Sequence, residues 1–170
     1  MAAKAEELYT AARSGRLPEV ERLLTEGASP NAERCGYPAL VAAAYNGHLD
    51  VVKVLVRAGA KLEATNSSDG VTALMWAAGE GKDDCVEFLL GAGADVHAAN
   101  ELGDTALHRA ARWGQLQCAR LLVGAGADAA KRNMAGQTAL AAAQEAGKYK
   151  VAALLSRWRS CGSRAGRRRA

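Results

Sequence analysis

The sequence predicts an all-α fold, a solenoid of stacked helix-turn-helix units joined by β-turn or hairpin-like loops. Three ladders of residues in one register carry that expectation. Leu40, Leu74, Leu107 and Leu140 stand 34, 33 and 33 residues apart. Gly15, Gly47, Gly81, Gly114 and Gly147 stand 32, 34, 33 and 33 apart. Gly-Ala pairs begin at Gly27, Gly59, Gly93 and Gly126. A period of this length marks a stacked-repeat architecture, in which one copy is too thin to bury its own apolar face. The copies fall at 4–32, 33–66, 67–99, 100–132 and 133–158, one domain over 1–158. Residues 159–170 read as an Arg-rich disordered tail.

The first copy places Glu19 and Arg22 where the second has Val51 and Val54, which predicts a polar end cap. The second begins its first helix at Pro-Ala-Leu-Val, 38–41, and its second helix carries Val51, Val52, Val54 and Leu55. In the third, Thr72 is placed to accept an orphan N–H at a helix start. An Ala-rich helix of about nine residues then ends near Gly81, which can take positive φ. Its second helix carries Val86, Phe88, Leu89 and Leu90, and one extra residue in the preceding connection, Thr65–Gly70, explains the spacing of 34. The fourth copy repeats the pattern from Thr105 through Leu116, Ala119, Leu121 and Leu122. The fifth repeats it from Thr138 through Val151, Leu154 and Leu155. There Gln144 replaces the second Ala of the usual pair, as suits a closing cap.

Composition agrees and excludes other classes. The 170 residues are 49% apolar, 24% charged and only 5% aromatic, with 39 Ala, a balance suited to closely stacked helices. No apolar run approaches the roughly 20 residues of a spanning helix. Acidic residues occupy the start where a secretory signal would be apolar, so the expected setting is intracellular, cytoplasmic or nuclear. Six of the 22 basic residues lie in 157–170, which has no acid, leaving 16 bases against 18 acids elsewhere. The formal charge of +4 therefore belongs to the tail, where Arg164, Arg167, Arg168 and Arg169 are candidate electrostatic contacts.

The chain resembles the ankyrin repeat family, whose unit is built around Thr-Pro-Leu-His-x-Ala. The best copy of that motif is Thr105-Ala-Leu-His-Arg-Ala, and the likeness spans about residues 4–158. The copies depart from the pattern by having Ala in place of the motif Pro, and His108 alone retains the motif His. The resemblance implies that His108 bonds locally to Thr105. It also implies a non-catalytic adaptor, scaffold or inhibitor that binds a protein through a concave face and its turn tips. The start of the first copy is similar to ankyrin-type inhibitors of cyclin-dependent kinases, but the second copy lacks the shortened first helix of that group.

No catalytic, cofactor or metal constellation is expected. Cys35, Cys85, Cys118 and Cys161 form no Cys-x-x-Cys, and His48, His97 and His108 share no helix face. Mapping the family's face onto this chain selects Tyr45, Trp76, Arg109, Arg112 and Trp113 on the first helices. It adds Tyr37, Glu101, Leu102 and Asp104 at the turns. Trp, Tyr and Arg are the residues most enriched among binding hot spots. The expected partner is a protein, bound by a monomer with no small-molecule substrate. Nucleic acid is expected only through the tail, without base-specific readout.

Overall fold

The computed structural model describes the backbone of residues 2–165 and the side chains of 3–158. Each copy contributes two helices. The first helices are α1 (Ala2–Arg13), α3 (Ala39–Asn46), α5 (Ala73–Gly79), α7 (Ala106–Trp113) and α9 (Ala139–Glu145). The second helices are α2 (Leu17–Thr25), α4 (Leu49–Arg57), α6 (Asp83–Gly91), α8 (Leu116–Gly124) and α10 (Tyr149–Ala165). A short antiparallel pair, β1 (Glu33–Arg34) and β2 (Tyr37–Pro38), precedes α3. Each first helix packs on the next first helix, and each second helix on the next second helix, giving two layers.

Small residues set the spacing of the first layer. Ala39, Ala43 and Ala44 are buried, as are Ala73, Ala77 and Ala78, and Ala106, Ala110 and Ala111. Without bulk on that side, adjacent helices approach closely, and the leucine ladder seals the layer from Leu40 to Leu140. The second layer contributes Val51, Val52, Leu55, Cys85, Val86, Leu89, Cys118, Ala119, Leu122, Val151 and Leu155 to the same core. Glu19, Arg22, Glu26 and Lys4 form an exposed ion-pair cluster on the first copy, the polar outer surface expected of a cap.

Local chemistry explains the helix limits. Thr72, Thr105 and Thr138 each accept an N–H from three residues on. Gly114 closes α7 in the left-handed region at φ 81. The glycine ladder has a second use. A Cβ on Gly15 would lie 2.6 Å from His48 Nδ1, on Gly47 2.8 Å from Lys82 Cδ, and on Gly114 2.8 Å from Lys148 Cδ. On Gly81 it would lie 2.5 Å from Gln115 Oε1. Each glycine is thus a slot for a side chain of the following copy.

The turns use asparagines that the sequence reading passed over. Asn66 Oδ1 accepts from Val71 N at 2.7 Å, and Asn133 Oδ1 from Gln137 N at 2.9 Å. Asn100 Oδ1 accepts from Leu102 N and Asp104 N at 3.1 and 2.8 Å. Adjacent turns join through Ser67 N to Gly36 O, Glu101 N to Asp69 O and Met134 N to Leu102 O.

The last helix, α10, runs on past the expected boundary at 158–159, to Ala165. No Pro interrupts this stretch, and Arg159, Arg164 and Ala165 favour helix while Ser160, Gly162 and Ser163 do not, so the turns already formed from Tyr149 carry it. Arg164 falls on that helix, whereas Arg167, Arg168 and Arg169 lie outside the described residues.

Candidate protein-interaction site

The exposed side of the first-helix layer carries a run of side chains from three successive copies. The Tyr45 ring meets the Trp76 ring edge-on, with centroids 5.1 Å apart and planes at 80°. Arg109 places its guanidinium 4.2 Å from the centre of the Trp76 ring, a cation–π contact. Trp76 Nε1 and Arg109 Nε are both buried and without a hydrogen-bond partner among the described residues. Burial holds Arg109 below the ordinary arginine range, with Asp69, Asp104 and Glu80 opposing that shift. Gly79 makes room for the next helix. A Cβ there would lie 3.3 Å from Arg109 Nε and 3.4 Å from Trp113 Cδ1.

Beside this stack lies an open groove of about 330 Å³, lined by Tyr9, Arg13, Tyr37, Tyr45, Asn46 and Trp76 among others. The mapped set therefore divides. Tyr37, Tyr45, Trp76 and Arg109 come together at or beside the groove. The Tyr37 hydroxyl lies 3.2 Å from Ser68 Oγ in the next turn. Trp113, 58% exposed, stands next to Arg109. Leu102, 59% exposed, and Glu101 project from a turn tip.

Asp104 is corrected from a free tip residue to a buried one, only 2% exposed. It accepts from Arg112 Nη1 at 2.7 Å and from Asn133 Nδ2 at 2.7 Å. Arg112 is thereby ion-paired within the fold, with its side chain still 38% exposed. Gly79 and Ala42, on the same layer of first helices, are also buried. Tyr9, Arg13 and Asn46 line the groove but are not in the mapped set. For Tyr9 a signal existed in the sequence. Its i, i+4 relation to Arg13 was the available signal, since that spacing puts both on one side of α1.

The polar core groups serve the fold. The Gln137 carbonyl can only accept, so its 3.0 Å contact makes His108 Nε2 the protonated nitrogen. Nδ1 then accepts from Thr105 N and Oγ1 at 3.3 and 2.9 Å. The local bond to Thr105 is present, and a second bond reaches the next copy. Burial pushes the His108 pKa down, ahead of every other influence. Burial also pushes the Cys85 thiol up to about 11. Cys118 is pushed up by burial and by donating to Asp83 Oδ1 at 2.9 Å. Both thiols therefore stay protonated near neutral pH. Among the described residues, no group of three metal-ligating side chains stands together, and no helix is long and apolar enough to cross a membrane.

Two layers of paired helices with this repeat chemistry define a class, and comparison with known proteins agrees. A family model described as ankyrin repeats, in 3 copies, matches residues 8–100 and 92–163. The chain belongs to the ankyrin repeat family. Such repeats generally serve as protein–protein interaction modules and are generally not enzymes. Among similar curated proteins are the mitochondrial disaggregases of Homo sapiens and Bos taurus, each 52% identical over 54 residues. That stretch is 31% of this chain and spans 8% of the length of either relative.

Proposed function

We propose that this chain is a non-catalytic interaction module whose first-helix face and turn tips dock one protein partner. The observation that carries this reading is Trp113, 58% exposed at the end of the Tyr45–Trp76–Arg109 run. An exposed indole next to a partly desolvated Arg is the kind of anchor that dominates binding energy in protein interfaces. Free buried thiols and the charge pattern are compatible with the expected intracellular setting.

A photo-crosslinking residue at position 113 would capture the partner, whose affinity is then measured directly. Trp113→Ala should weaken it about tenfold or more. Arg120→Ala, on the exposed side of α8, should leave it unchanged. Equal affinities for the two variants refute the reading.

A second reading rests on the concentration of six Arg without an acid in 157–170. That segment would bind nucleic acid or another anionic surface through phosphates, so binding should fall steeply with salt. Removing 159–170 should abolish it. Retention of binding by the shortened chain excludes the tail as the cause.

A further inference from the structure

Resting on the interaction-module reading above, we infer that the groove over the first three copies takes a partner segment with an aromatic or branched aliphatic side chain flanked by carboxylates. The groove gathers Tyr9, Tyr37, Tyr45 and Trp76 from three copies, and among the described residues Arg13 is its sole charged lining residue. Its volume, about 330 Å³, lies at the low end of ligand sites and suits one anchoring side chain better than a large cofactor.

The charge of the anchor's flanks follows from what surrounds it. Arg13 sits at the groove and Arg109 stacks on Trp76. Neither forms an ion pair among the described residues, whereas Arg112 is neutralised by Asp104. Asp69, Asp104 and Glu80 reach Arg109 only through their longer-range field. Both unpartnered polar atoms of the stack, Trp76 Nε1 and Arg109 Nε, are donors. The one charged side chain lining the groove among the described residues is a cation, and negative charge on the partner complements it. A lysine or methylated lysine side chain fits poorly, since Arg109 already occupies a face of Trp76 and Arg13 repels a second cation.

The test is display selection of a random linear-peptide library on the immobilised full chain. Affinities of the selected peptides are then measured by fluorescence polarisation. Selected peptides should carry Asp or Glu beside Phe, Trp, Leu or Ile. Arg13→Glu and Tyr45→Ala, both at exposed side chains, should each weaken them about tenfold or more. Arg120→Ala, on the exposed side of α8, should leave them unchanged. Basic peptides, or affinities indifferent to Arg13→Glu and Tyr45→Ala, overturn this partner chemistry. Peptides that depend on Trp113 alone also overturn it, while leaving the module reading intact. A library that yields no binder overturns the inference too, and the Trp113 crosslinking experiment then judges the module reading separately.

Discussion

At the scale of single residues, the ladder positions were readable because each repeats a solved packing problem. Leu107 recurs at the period of Leu74 and Leu140 and is fully buried. Leu107→Ala should cost about 2–5 kcal/mol in a urea titration, through lost burial and the cavity left behind. His108 is a different case, since its role depends on both Thr105 and Gln137. Its folded pKa lies below the ordinary 6.5, so the unfolded chain takes up the proton first as pH falls. The stability it contributes is complete above 6.5 and declines as pH drops from there through the folded value. Denaturation followed over this range should show a steeper decline for the native chain than for His108→Gln. Asp104 shows what position alone could not convey. A turn-tip address suggested exposure, but Arg112, eight residues on, and Asn133, in the next copy, close over it.

At the scale of elements, helix starts were legible from Thr and helix ends from Gly, because capping is local chemistry. The caps are not equal. Both accept an N–H at 3.4 Å, but Thr105 also exchanges bonds with the His108 ring in a reciprocal box, whereas Thr72 accepts only from Met75 N. Thr105→Ala should therefore cost about 2 kcal/mol and Thr72→Ala about 1 kcal/mol or less. Equal losses on chemical denaturation would show that the box adds nothing. The extent of α10 was not legible. Dense Arg suggested an unstructured tail, yet nothing in 159–165 forbids helix and the preceding turns supply its start. The Arg109–Trp76 stack also escaped a reading by period, because a period places residues within a copy. Contact across copies depends on the lateral offset of one helix against the next.

At the scale of the whole molecule, each copy touches its neighbours and little else. Terminal copies therefore have one supporting interface and central copies two, so stability should be graded along the stack. Native-state hydrogen exchange should show the amides of α5 and α7 opening less readily than those of α1 and α9. A single opening free energy throughout would contradict this. The glycine slots bear on how such a chain changes over time. His48, Lys82, Gln115 and Lys148 differ in charge and shape, yet each fills the glycine slot of the preceding copy. A slot that takes an imidazole, an ammonium or an amide side chain makes the copies interchangeable at that joint. Excising residues 67–99 in frame would bring Gly47 against Gln115, a pairing of the kind already present between Gly81 and Gln115. Recombination between copies could thus shorten the array, or lengthen it by duplication, without inventing a new joint.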